Sequence, residues 1–151
     1  MATNAVIEVE EQFVAFRLAD EIYGIPIMLV HEIIRSCDIT QIPRTADYVR
    51  GVVNLRGKIV PVIDLRKRLG LPDVEQTNST RIVVVEVDEN VVGMIVDAVT
   101  EVFRIPESQI EPPDELVADV ENDLIRGVGK KDDQLIILLD IPRTIGGLTI
   151  S

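Results

Sequence analysis

Apolar and polar residues alternate with period two along much of this chain, and the alternating runs come in pairs. A strand puts successive side chains on opposite faces, so paired runs about short polar turns predict β-hairpins. The first pair is Gln12–Leu18 and Ile22–Met28 about Ala19-Asp20-Glu21, and the second is Gly51–Leu55 and Lys58–Ile63. The third is Arg81–Val87 and Val91–Val96 about Asp88-Glu89-Asn90, and the fourth is Leu124–Val128 and Gln134–Leu139. After the first hairpin comes a short amphipathic piece, Leu29–Arg35, read as helical, then an extended segment ending at Ile42-Pro43. Asp64 is placed to cap a helix after the second hairpin. Arg66, Lys67 and Arg68 suit the C-terminal half of that helix, and Gly70 follows its end. Leu71–Thr80 is polar and reads as a connecting loop.

The pattern occurs twice. Phe13–Arg35 aligns without gaps on Ile82–Arg104 at an offset of 69, with Val14/Val83, Gly24/Gly93, Val30/Val99, Glu32/Glu101 and Arg35/Arg104 identical. Arg50–Leu65 aligns on Arg126–Ile141 at an offset of 76. Two separated matches in the same order indicate an internal duplication, with halves of about 12–70 and 81–145 within one domain, 1–151. A half of this size is marginal as an isolated core. Each half has four or five short strands, and closing them as a small barrel removes exposed edges. The expected fold is mainly β: two small five-stranded barrels sharing a hydrophobic interface.

Composition supports this reading. Val and Ile account for 42 of the 151 residues, and such stiff β-branched side chains suit a pleated, half-buried surface. With 46% apolar residues and a mean hydropathy of +0.23, the chain has the material for a core, which excludes a disordered protein. The formal charge of −11 removes the basic footprint a nucleic-acid binder needs and disfavours an anionic membrane surface. One cysteine, Cys37, allows no internal disulfide and suits a reducing compartment. No apolar run approaches the roughly 20 residues that span a bilayer. Met1–Gln12 has no basic cluster and does not read as a signal peptide. The expectation is a soluble cytoplasmic protein with no membrane insertion.

Catalytic constellations are hard to find. His31 is the single histidine, and a His31–Cys37 nucleophile pair lacks a third group to orient the base. One His and one Cys fall short of a zinc site. Asp119-x-Glu121-x-Asp123 lacks the turn glycine and the twelfth-position Glu of a calcium loop, so Glu111–Asp123 reads as a solvated acidic surface loop. Gly51-x5-Gly57-Lys58 is followed by Ile59 rather than Ser or Thr and sits between strands, so it is no phosphate loop. No metal, nucleotide or other cofactor is expected. The informative segment is the tip Asn54-Leu55-Arg56-Gly57, where Gly57 supplies a positive φ and Arg56 is held out from a rigid base. Arginine, with its planar fork and weak hydration, suits a protein interface.

Residues 51–70, GVVNLRGKIVPVIDLRKRLG, resemble the signature hairpin of the bacterial chemotaxis coupling family, CheW. Val30-His31-Glu32-Ile33 resembles the family's Val-x-Glu-Ile segment. Val91–Asp97 resembles its second-half strand with the following Asp, and Gly127-Val-Gly with Leu135–Asp140 resembles its closing hairpin. The likeness covers about Gln12 to Gly146. It implies two SH3-like barrels with strand exchange and a few short helices. It also implies a non-enzymatic adaptor between the cytoplasmic tips of methyl-accepting chemoreceptors and the regulatory domain of the histidine kinase CheA, cytoplasmic and recruited to receptor arrays. The neighbouring reading is a CheW-like regulatory module of another two-component system. By the same resemblance the partner-binding residues are Val30, Glu32, Gly51, Asn54, Arg56, Ile59, Thr80, Ile82, Val99 and Val102, with Arg56 and Glu32 approaching one another. Arg81 stands in a slot that can be Val in relatives. Outside this reading stand a ligand- or nucleic-acid-binding barrel and a small hydrolase, which the charge and the missing constellations disfavour.

Overall fold

The computed structural model describes residues 9–35, 38–43, 45–113 and 122–146. The first half of the chain forms β1 (Glu10–Leu18), β2 (Glu21–Pro26), β3 (Val30–Arg35), β4 (Val49–Leu55), β5 (Lys58–Asp64) and the one-turn helix α1 (Leu65–Arg68). The second forms β6 (Arg81–Val87), β7 (Asn90–Val96), β8 (Ala98–Pro106), β9 (Ile125–Lys131), β10 (Gln134–Leu139) and α2 (Ile141–Thr144).

These strands build two five-stranded sheets, ordered β8-β1-β2-β10-β9 and β3-β6-β7-β5-β4. Matching β1–β5 with β6–β10 turns one order into the other, so the duplication is carried by the topology. The halves are also exchanged. Hairpin β1–β2 lies in the sheet of the second half's β8, β9 and β10, and β6–β7 lies in the sheet of β3, β4 and β5. The exchanged hairpins are held by parallel pairs, β2 with β10 (Gly24 opposite Leu138) and β7 with β5 (Gly93 opposite Val62). Neither sheet can form from one half alone.

Burial falls into three layers. Phe13, Ala15, Phe103, Ile105 and Ile136 fill one barrel, and Val53, Val60, Val62, Ile82 and Val84 fill the other. Between them lies a larger shared core containing Phe16, Leu18, Tyr23, Val83, Val85 and Met94, with Phe16 and Tyr23 stacked at 6.0 Å. Along β6, Ile82 and Val84 point into the barrel while Val83 and Val85 point into the shared core. A strand covered on both faces reads as a continuous apolar run, which accounts for Ile82–Val85.

Each barrel closes through a glycine. After β3, Thr40 exchanges two backbone hydrogen bonds with Val52 of β4, at 2.9 and 2.8 Å. After β8, Glu111 does the same with Val128 of β9, at 2.8 and 2.7 Å. The crossing chain passes so close that a Cβ on Gly51 would lie 2.1 Å from the Thr40 carbonyl oxygen, and one on Gly127 would lie 2.7 Å from that of Glu111. The Arg-Gly-Val common to both halves is therefore a backbone crossing point, where only glycine fits.

Three sequence expectations change. Leu29–Arg35 is not helical: Ile27–Leu29 makes a single 3₁₀ turn, and Val30–Arg35 is strand β3, its residues alternately half-buried and exposed. Val30, Ile33 and Ile34 suit a strand, and β6 offers an open edge that satisfies their backbone. The turns about Ala19 and Asp88 contain two residues rather than three, with Leu18 opposite Glu21 and Val87 opposite Asn90. A helix also follows the last hairpin. Asp140 accepts from the Arg143 amide at 3.0 Å, as Asp64 accepts from the Lys67 amide at 3.3 Å in α1. Gly70, after α1, has φ +79°.

Candidate partner-binding surface

The β4–β5 turn is Leu55-Arg56-Gly57-Lys58, and both central residues are left-handed, at φ +52° for Arg56 and +84° for Gly57. This twist matches the flanking strands, which is why two-residue hairpins favour it. The Asn54 side-chain oxygen accepts from the Gly57 amide at 2.8 Å and locks the tip from inside. Arg56 is thereby projected over β3, where its guanidinium forks onto Glu32, Nη1 to Oε2 at 2.6 Å and Nη2 to Oε1 at 3.2 Å. The pair joins the two outer strands of one sheet beside the Thr40–Val52 closure. Arg56 is 75% exposed and Glu32 18% exposed, so the carboxylate is sheltered and the guanidinium is presented. The hydrogen bond from Arg56 holds the Glu32 carboxyl below its ordinary range, and the same bond raises the Arg56 guanidinium. His31 stands beside them, 4.0 Å from Glu32 and 3.9 Å from Glu86.

Eight of the ten residues singled out in the sequence belong to this barrel, Glu32 among them. Val30 opens β3 and packs on the shared core, Gly51 lies buried under the crossing chain, and Asn54 and Arg56 form the tip. Ile59, opposite Asn54, leaves half its side chain in solvent. Val99 and Val102 lie on β8 of the other sheet, in the place β3 holds in the first. Val99 is half-buried, and Val102, opposite Val14, is half-exposed. Thr80 and Ile82 are different. Thr80 is 6% exposed with its hydroxyl accepting from the Thr77 amide, and Ile82 is fully buried inside the barrel. Ile82 offers no side-chain surface to a partner, and Thr80 reaches the surface only within the wall of a cleft.

The sequence reading missed a cross-half clasp. Arg66 was read as suiting the end of α1, but its guanidinium turns onto Asp97, with Nε to Oδ1 at 2.8 Å and Nη2 to Oδ2 as an ion pair. It also donates to the Pro72 carbonyl, and Asp97 accepts from the Ala19 amide at 2.9 Å. One carboxylate thus ties α1, the β1–β2 turn and the β7–β8 junction. Burial pushes the Asp97 carboxyl up, but the bonds from Arg66 and Ala19 and the nearby guanidinium charges outweigh it and hold the group low. Arg68 joins the halves again. It donates to the Thr144 and Arg143 carbonyls and lies over the Tyr48 ring, 4.8 Å from its centre. The usable signal was Asp97 itself, immediately after the apolar run Val91–Val96.

Cys37, Asp119 and Glu121 lie outside the described residues. Among the described residues, no group of three or more His, Cys, Asp and Glu is placed to hold a metal ion, and no helix is long and apolar enough to cross a membrane. Gly51 and Gly57 sit in a strand and a turn with β5 following, not the strand-to-helix passage of a phosphate loop.

Two exchanged barrels presenting a braced, charged tip define the class: a duplicated small-barrel binding module. Residues 12–147 match the family model described as the CheW-like domain, and the chain belongs to that family. It is 39% identical over 130 residues to chemotaxis protein CheW of Helicobacter pylori, covering 86% of this chain and 78% of that one. With chemotaxis protein CheW of Klebsiella aerogenes it shares 36% over 137 residues, covering 91% and 82%. The crystal structure of the scaffolding protein TtCheW from Thermoanaerobacter tengcongensis superposes with a TM-score of 0.82 at 40% identity, covering 93% of this chain and 91% of that one. The role that follows is that of a chemotaxis scaffold.

Proposed function

We propose that this chain is a non-catalytic adaptor of the cytoplasm that couples chemoreceptor tips to the histidine kinase CheA within receptor arrays. The observation that carries the reading is the Glu32–Arg56 fork on a locked hairpin tip. A guanidinium has five N–H donors, and Glu32 takes two of them. Arg56 is largely exposed, which leaves its remaining donors open to a partner, and the same hairpin presents the half-exposed Ile59. Arginine with a neighbouring apolar contact is the composition of an interface hot spot. Glu32 holds the fork in one orientation before a partner arrives, which reduces the ordering cost of binding.

The test is co-sedimentation of the full chain with a receptor cytoplasmic fragment and CheA, read together with kinase activity and thermal unfolding. Arg56→Ala and Glu32→Ala should unfold at the parent temperature within about 2 °C, because exposed pairs add little to stability. Both should weaken ternary assembly about tenfold or more and lower kinase activation. The double exchange, Arg56→Glu with Glu32→Arg, restores the pair and should leave assembly impaired. An Arg56→Ala protein that unfolds makes the residue structural, and one that assembles like the parent removes the site.

A further inference from the structure

The duplication puts Arg35 and Arg104 in equivalent places and sets them opposite equivalent positions, 81 and 12, but the residue types there differ. Arg104 of β8 lies opposite Gln12, whereas Arg35 of β3 lies directly opposite Arg81 of β6. Directly opposite residues share a face, and like charges there destabilise a sheet. Neither guanidinium forms a salt bridge with a carboxylate among the described residues. Both line an open cleft of about 560 Å³ together with Thr77, Asn78 and Thr80, and among the described residues no acidic side chain lines it. In a chain of charge −11, an acid-free cleft around two facing arginines is a local reversal of the field.

We infer that Arg35 and Arg81 form a binding site for adjacent carboxylates on an acidic segment of a partner protein. Arg81 is already positioned, its Nη1 donating to the Asn78 and Thr80 carbonyls at 2.8 Å each, which leaves the Nε–Nη2 edge for a carboxylate. Phosphate sites are commonly cradled by free backbone amides. Here the Thr77 amide is taken by the Thr80 hydroxyl oxygen, the Ser79 amide by that of Thr77, and the Thr80 amide by the Thr77 carbonyl. The cleft therefore offers two planar forks, each able to hold a carboxylate through two N–H donors, while the 77, 79 and 80 amides are not free to cradle a phosphate. The site is separate from the Glu32–Arg56 pair and stands whether or not the adaptor reading does.

The experiment follows the arginine Nε–Hε and backbone amide resonances of the full chain by NMR while tetraglutamate is added, with tetraglutamine and inorganic phosphate titrated at matched ionic strength. Tetraglutamate should produce saturable shifts at Arg35, Arg81 and 77–81, tetraglutamine none, and phosphate weaker ones. Arg35→Gln should fold as well as the parent or better, since it relieves the facing charges, and should weaken tetraglutamate binding about tenfold. Arg104→Gln should leave that binding unchanged. Shifts that spread over all arginines, or that persist in Arg35→Gln, overturn the site. Phosphate binding as tight as tetraglutamate overturns its assignment to carboxylates.

Discussion

Arg56-Gly57 and Asp132-Asp133 are the same turn in two copies. Each closes the hairpin of its half, Leu55 opposite Lys58 in one and Lys131 opposite Gln134 in the other. Both turns are left-handed at both residues, with φ +52° and +84° in the first and +50° and +66° in the second. Their chemistry is opposed. Arg56 forks onto Glu32, whereas the corresponding residues of the second half, Asp132 and Glu101, are both acidic and cannot pair. The fold needs a positive φ at this tip, and Asp serves that need better than Arg. The arginine is therefore explained by what it holds and presents, not by the turn.

The half-to-half junctions differ in the same way. Asp97 is tied to Arg66, while the corresponding residues, Met28 and Pro142, form no such pair and Met28 is 84% exposed. Duplication kept the backbone and freed side chains at matched points to diverge.

Four substitution experiments break or sharpen this comparison, ordered by their effect on stability. The closure glycines come first. Gly51→Ala sets a methyl 2.1 Å from a carbonyl oxygen, at a φ of +144°, and should cost about 4 kcal/mol or prevent folding. Gly127→Ala, at 2.7 Å and without the positive φ, should cost clearly less in denaturant titrations, and an equal cost would deny the asymmetry.

The clasp is next. Arg66→Ala leaves Asp97 partly buried without its cation and should cost about 3 kcal/mol, lowering the melting temperature by roughly 6–12 °C. Met28→Ala, at the matching position, should move it by less than about 2 °C.

Acid should expose the same difference. The folded state depresses the Asp97 carboxyl, so its stabilisation is full above the ordinary carboxylate range near pH 4. It is lost as pH falls through the lower folded value. Urea titrations between pH 7 and pH 2 should therefore show a steep acid limb that Asp97→Asn flattens. Glu32→Gln should leave that limb nearly as in the parent, because Arg56, the cation of that pair, lies largely in solvent and its charge is screened.

The smallest effect on the fold should come from moving one tip onto the other. Replacing Arg56-Gly57 by Asp-Asp keeps a turn that the second half already tolerates, so melting should stay within about 2 °C. Assembly with receptor fragment and kinase should be lost. Retained assembly would locate the contact elsewhere.

Much of this was legible in the residues. The four hairpins and the Asp64 cap with Gly70 beyond it each rest on contacts within a few positions, and the repeat with its Arg-Gly-Val shows as two alignments in the same order. The meeting of Glu32 and Arg56 followed from the family's pattern rather than from spacing, since the two lie 24 positions apart. Val30–Arg35 was misread because its apolar residues, Val30, Ile33 and Ile34, fit a helix stripe at i, i+3, i+4 as well as they fit a strand. Six residues are too few for the period to decide, and the free edge of β6 decided instead.

By itself the sequence determined the local elements, the duplication and the supply of apolar side chains, because alternation, turn residues and caps act over one to four positions. Only the tertiary structure decided which hairpins change sheets, that Ile82 faces inward and Thr80 is buried, and that Arg66 and Asp97 clasp across 31 positions. Each of those choices depends on which of several equally apolar strands pairs with which. Burial is non-directional, so only the joint fit of backbone hydrogen bonds and packing selects one arrangement.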